Sequence, residues 1–516
     1  MKKQLPVLLL FVLAIAGVSV FGQAKTDYQL AGDSLYQKKD YKGAIDNYTQ
    51  AININKQNKI ELAILLDKRA QAEIDLDEYQ KAIADETAAL AANPNNSDAY
   101  WNRGIAYGSS DEYQLAINDY TKAMLFCKDN NKSLSTLYDN RGINERKLKL
   151  YQKAIDDHTQ AITLNSKNGD AYWHRGIAYN NNHQYQLAID DYTTAMFYNQ
   201  EDLEDLATLY NNRAVNKRFL KQYKEAINDF NTALQLNPKN GSIYWDRGLT
   251  YQYNSDYQLA INDFNSALFY YPNNKNDQAI LYNNMAINAM SLHQPAKALD
   301  YVSKAIELNS QNGYFYWSRG GIYSQTGESK KAIDDFNKAM DFYKDNKRIL
   351  AALHSENATN FYILKQNQQV IDECNAAIAF YPKNIDPYFT RGKIYLKRIV
   401  NKEKAFQDFN KVIELDTTKA TVSYIFSQLY IGNSDMAMQK LQEQVLKTVS
   451  PDDVLNHYYN IACMFSIMNK PDEANTYLKK AIEAGYSKEF AANDEDFDNI
   501  RKTPDYIALM AAGSSK

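Results

Sequence analysis

The four tryptophans of this 516-residue chain, Trp101, Trp173, Trp245 and Trp317, stand 72 residues apart. An indole face stacks on planar or apolar groups and its N–H donates one hydrogen bond, so a regular row of them has the chemistry of a recognition surface. Each lies in a near copy of one motif: DAYWNRGIAY from residue 98, DAYWHRGIAY from 170, SIYWDRGLTY from 242 and YFYWSRGGIY from 314. Between them, at the same phase, stand Asp139, Asn211, Asn283 and Ser355, with Asn140, Asn212 and Asn284 alongside. Carboxamides both donate and accept, which suits an extended peptide main chain; tryptophan faces also suit sugar rings.

A second row is ionic. Arg69, Arg103, Arg141, Arg175, Arg213, Arg247 and Arg319 are each followed 16 residues later by an aspartate: Asp85, Asp119, Asp157, Asp191, Asp229, Asp263 and Asp335. Where the arginine is replaced, by Ala31, Met285 or Ile461, the aspartate is lost too, to Asn47, Tyr301 or Tyr477. The paired loss predicts ion pairs that hold the fold together rather than a row of ligand-binding arginines.

Catalytic arrangements are not found. There is no HExxH, no GxSxG, no phosphate-cradling glycine loop and no CxxC pair, so neither a catalytic nor a metal site is assigned, and no cofactor is expected. The six histidines share no phase, and His174 and His183, nine residues apart, read as surface residues on a polar loop. Cys127, Cys374 and Cys463 form no framework and read as small buried apolar residues. A formal net charge of -4 gives no electrostatic case for nucleic acid or an anionic membrane.

The elements that must position these rows follow from the period. The marker A-I-x-D-aromatic-x-x-A begins at Ala44, Ala82, Ala116, Ala154, Ala188, Ala226, Ala260, Ala298 and Ala332, with Val370 in the tenth copy, in steps that alternate 38 and 34. The unit is thus a 72-residue pair starting at 25, 97, 169, 241 and 313. Within a copy, Tyr100, Gly104 and Tyr107, then Ala116, Tyr120 and Ala123, recur at helical spacing on either side of GSSDE, which predicts two short antiparallel helices, A and B. The four extra residues of each longer step equal about one helical turn and predict an extended helix end between an odd copy and the next.

These residues resemble the tetratricopeptide repeat, with its aromatic, Gly or Ala, and Tyr on helix A and A-x3-aromatic-x2-A on helix B; the sixth copy adds Tyr210, Ala214, Ala226, Phe230, Ala233 and Pro238. Glu86, His158 and Cys374 depart from the pattern at the helix B aromatic. The resemblance implies an all-α, right-handed superhelical solenoid of about 12–13 helix-turn-helix repeats: ten over 25–384, divergent ones over 385–486, and a capping segment over 487–516. The stretch 417–450 reads as either a drifted repeat or a hinge. In the resembling family, positions 5, 9 and 12–13 of helix A line a concave groove. Carried over, this places the four tryptophans, with Asn140, Asn211, Asn212, Asn283 and Asn284, in a ligand groove; the alternative is that the tryptophans pack between neighbouring helices.

The first 24 residues, two lysines and then an apolar run to about Gly22, read as a secretory signal peptide, the alternative being an uncleaved anchor. The expected protein is a non-catalytic scaffold of the periplasm or exterior that binds a protein or extended peptide. A glycan-stacking module and a non-catalytic subunit of an envelope or secretion complex are the alternatives. Partner identity and oligomeric state are left open.

Overall fold

A computed structural model describes residues 27–511 apart from 56, 128–129, 200–201, 272–273 and 446–450. The expected signal peptide lies outside the described residues. Helices fill the described residues in successive pairs and no strand occurs among them, an all-α architecture of repeated hairpins. Two compact units divide it, one ending at Tyr270 and the other beginning at Tyr271. The first holds repeats 1–7 and the second repeats 8–13 with the C-terminal segment.

Each repeat is a hairpin whose closing turn sits at one position. The fifteenth residue of a copy takes a left-handed backbone at Lys39, Asp77, Asp111, Lys149, His183, Lys221, Ser255, His293 and Lys365, and at Gly327 with φ 81. Such a residue ends helix A and turns the chain into helix B. Gly432, at φ 100, takes that place between the helices Val422–Tyr430 and Ser434–Val445. The stretch 417–450 therefore contains a twelfth hairpin, its copy beginning at 418. In the eleventh copy the turn residue is Val400, one place later, as its extra residue requires.

The extra four residues of the longer step enter helix A rather than helix B. Helix B has 14 residues in odd and even copies alike through the eighth, as in Tyr113–Phe126 and Tyr151–Leu164, and 12 in Ser329–Met340 of the ninth. Helix A has 13 in Ser97–Ser109, Gly169–Asn181 and Gly241–Tyr253 but 17 in Asn131–Lys147, Leu203–Phe219 and Lys275–Ser291. One further turn thus precedes every second helix A, started by a side-chain cap from Asn130, Asp202 or Asn274.

The core of each hairpin is small against large. Ala116, Tyr120 and Ala123 of helix B are buried against helix A, where a Cβ on Gly104 would lie 2.8 Å from the Tyr120 ring. Only glycine lets the aromatic approach so closely, which is why the two residue types recur together.

Candidate functional site

Position 7 of helix A is held from three sides. Arg175 Nε and Nη2 donate to Asp191 Oδ2 and Oδ1 at 2.7 and 2.8 Å, a two-pronged pair within one repeat. The same fork joins Arg69 to Asp85, Arg103 to Asp119, Arg141 to Asp157, Arg213 to Asp229, Arg247 to Asp263 and Arg319 to Asp335. An eighth, Arg391 with Asp408, was hidden by the extra residue of copy eleven, which lengthens the spacing to 17.

The third nitrogen reaches the preceding repeat, a contact sequence reasoning missed. Arg175 Nη1 donates to Thr159 Oγ1 at 3.1 Å, and Arg103, Arg141, Arg213 and Arg247 do the same to Thr87, Thr121, Thr193 and Asn231. The guanidinium also lies between the rings of Tyr172 and Tyr179 at 5.5 and 5.7 Å. These five arginines thus each tie two helices of their own repeat to helix B of the one before. A threonine or asparagine 16 or 20 residues ahead of each of these five was the available signal.

Position 5 holds two different things. Trp101, Trp173 and Trp245 in the first unit, and Trp317 in the second, are all half-buried. Trp101 packs on Ala116, Tyr120, Ala123 and Leu137, and Trp173 on Ala188, Tyr192, Ala195 and Leu209. Leu137 and Leu209 belong to the next helix A, so each indole wedges partly between neighbouring helices and leaves part of its surface to solvent. No acceptor among the described residues meets the indole N–H of Trp101 or Trp173.

At even repeats this position instead stitches one helix A to the next. Asp67 accepts from Asn102 at 3.0 Å, Asp139 meets His174 at 2.9 Å, and Asn211 hydrogen-bonds Asp246. Asn283 is only 2% exposed. The amide row of the sequence reading is corrected accordingly: Asn211 is engaged within the protein and Asn283 is buried, because position 5 faces the following helix A and a side chain shorter than an indole is covered by it. Asn140, Asn212 and Asn284 are half-buried, and their backbone carbonyls each accept from Asn144, Asn216 or Asn288 at 2.8 Å. Those three buried asparagines, also 72 residues apart, were legible by the same period but were not singled out.

Two hairpins carry polar groups where the core aromatic belongs. His158 is fully buried, its Nδ1 2.7 Å from Asp139 Oδ1, so that Asp139 bridges His158 and His174. His174 is therefore not a loop residue but half of an inter-repeat contact; His183 does sit in a turn, against Tyr185. Burial pushes the His158 pKa below the usual imidazole value and outweighs the raising effect of Asp139. Burial would raise Asp139, but the two imidazole hydrogen bonds overcome it and hold the carboxyl well below its usual range. Glu86, equally buried, lies beside Asp67, and burial followed by that neighbouring charge pushes its pKa up to about 10.

The cysteines are free, with Cys374 and Cys463 buried and Cys127 half-buried. Cys463, Asp494 and Asp496 lie close enough together for a metal ion, but Asp496 already faces Lys393 and Lys397 at 3.0 and 3.6 Å and accepts from Tyr430. That charge balance does not suit a cation. No helix among the described residues is long and apolar enough to cross a membrane.

Comparison with known proteins matches the tetratricopeptide repeat at residues 68–131 and 283–347 and again at 28–58 and 457–484, with a further TPR repeat at 220–255. A DnaJ homolog subfamily C member 7 homolog from Dictyostelium discoideum is 31% identical over 101 residues, 20% of this chain and 19% of the relative. Serine/threonine-protein phosphatase T from Aspergillus oryzae is 33% identical over 110 residues, 21% of this chain and 22% of the relative. The chain thus spans about a fifth of the length of these relatives. Among solved structures, a repeat protein from Parabacteroides merdae covers 51% of this chain and 98% of its own at 20% identity, with a TM-score of 0.40. Yeast Tom70 covers 83% and 97% at 16% identity, with a TM-score of 0.38.

Proposed function

The chain is a tetratricopeptide-repeat protein, and from that premise we propose that it is a non-catalytic scaffold of the extracytoplasmic space that holds an extended peptide or protein segment along helices A of its first unit. The observation that carries the reading is the half-buried indole at position 5 of every second repeat, Trp101, Trp173 and Trp245. Trp101 and Trp173 pack with one part of the ring on the core of their own hairpin and the next helix A, and all three rings keep surface for a ligand. The arginine–aspartate row and the His158–Asp139–His174 group are hydrogen-bonded within the protein, and their geometry serves packing. The apolar N-terminal run supports export.

Because all four emitters are the residues in question, tryptophan fluorescence tests the site directly. Red-shifted emission with strong acrylamide quenching is expected, together with a spectral change on titrating extended peptides. Trp173→Ala is expected to weaken that binding roughly ten-fold, the scale of an aromatic anchor. Blue, poorly quenched emission would reject the groove. A response to oligosaccharides but not to peptides would convert the reading to glycan stacking.

A further inference from the structure

The acidic stretch Asp494–Phe497 does not stop at covering the last hairpin. It lies across helices A of repeats 10–13, and it meets them at the very positions that elsewhere define the groove. Tyr459, at position 5 of repeat 13, donates to Asp494 Oδ2 at 2.6 Å. Lys393, at position 9 of repeat 11, donates to Asp496 Oδ2 at 3.0 Å. At positions 12–14, Tyr362 donates to Glu495 at 3.0 Å, Tyr430 to Asp496 at 2.6 Å, and Arg398 Nε to Glu495 Oε1 at 2.7 Å. Lys397 adds a second cation 3.6 Å from Asp496. Phe497 is fully buried, edge-on to Tyr459 at 5.5 Å. Side chains of four successive repeats thus grip three consecutive acids and one aromatic as they would grip a peptide.

Two observations separate this from capping. The terminal helix, which Thr503 and Pro504 begin, is what meets helix B of repeat 13, with Asn475 donating to Thr503 at 3.3 Å. The acidic stretch packs on repeat 13 through Tyr459 and Phe497, but its carboxylates also reach 66 to 133 residues back in sequence, to Tyr430 and Tyr362. The basic character is also local: position 9 of helix A is Ile105, Ile143, Ile177, Val215, Leu249 and Ile287 in repeats 3–8, whereas repeat 11 has Lys393.

We propose that the cleft formed by Lys393, Lys397, Arg398, Tyr362 and Tyr430 is a binding site for acidic linear peptides carrying an aromatic residue, and that residues 494–497 are its displaceable occupant in cis. A partner of that chemistry gains access by competing with the chain's own segment, so affinity in the intact protein is set by how tightly the segment is held. This is independent of the tryptophan row in the first unit.

The test uses the full chain and a fluorescent synthetic peptide copying residues 488–501, followed by anisotropy. The double variant Glu495→Ala/Asp496→Ala, verified as folded by circular dichroism, is expected to bind the peptide at least ten-fold more tightly than the wild type. Adding Lys393→Ala and Arg398→Ala is expected to abolish that gain. A folded double variant that ignores the peptide, or a wild type that binds it equally well, overturns the proposal and leaves a purely structural segment. If the double variant does not fold, hydrogen exchange on the wild type decides. Faster exchange of amides 494–498 than of helix Pro471–Glu483, accelerated further by excess peptide, supports displacement, and equal protection with no response rejects it.

Discussion

Arg175→Ala lowers the stability of the chain by about 3–5 kcal/mol in denaturant unfolding, the scale on which breaking one side of a buried ion pair is felt. The aspartate it abandons, Asp191, is 5% exposed and stays in the interior without its two donors. Thr159 of the preceding repeat loses a donor as well, and the Tyr172 and Tyr179 rings lose the flat cation between them. Arg175→Lys keeps the charge but cannot make three directed bonds at once, so an intermediate loss is expected. Replacing both partners, Arg175→Met with Asp191→Leu, recovers most of the stability because no charge is left stranded. In all three variants peptide recognition, measured by the tryptophan signal, is expected to keep its preference order. Retained stability with lost binding would instead make the arginine row a ligand site.

The second large effect depends on pH. Glu86 is fully buried and its pKa is raised to about 10, first by burial and then by the Asp67 charge. The folded chain therefore keeps a proton that the unfolded chain, with an ordinary glutamate near 4.5, releases. Above about pH 4.5 the unfolded state is favoured by roughly 1.4 kcal/mol per pH unit on account of this group, until the folded carboxyl itself titrates. Glu86→Gln removes that penalty while keeping shape and hydrogen-bonding groups. It is expected to stabilise the protein by about 3 kcal/mol at pH 7 and by almost nothing at pH 4. Parallel stability curves for variant and wild type across that range would show that Glu86 titrates as a solvated acid. His158 works in the other direction: its lowered pKa means that its neutral form supports the fold near pH 7 and that this support is lost as pH falls below the ordinary imidazole value.

How much of this was readable in the sequence depended on the distance a contact spans. The Arg–Asp forks were legible because helix A, a turn and helix B form one hairpin, so a 16-residue spacing returns to the same place in each copy. The same pairing at Arg391 and Asp408 was missed for one inserted residue that left the geometry intact. The longer step was correctly read as a helical turn, but its assignment to the start of helix A came from the structure, where asparagine and aspartate caps set the first turn. For the candidate groove, the phase of the tryptophans was visible and the depth of their seating was not.

By itself the sequence determined the repeat, its hairpin, the small-against-large core and the ionic row, because each of these is settled by side-chain periodicity within about 30 residues. Only the tertiary structure decided what fills the space between one helix A and the next. It sent Asn211 to Asp246, buried Asn283, joined His158 to His174 through Asp139, and laid Asp494–Phe497 over repeats 10–13. Those contacts follow from the small rotation between stacked hairpins and from a chain end folding back over more than a hundred residues. No periodicity within a single helix encodes either of them.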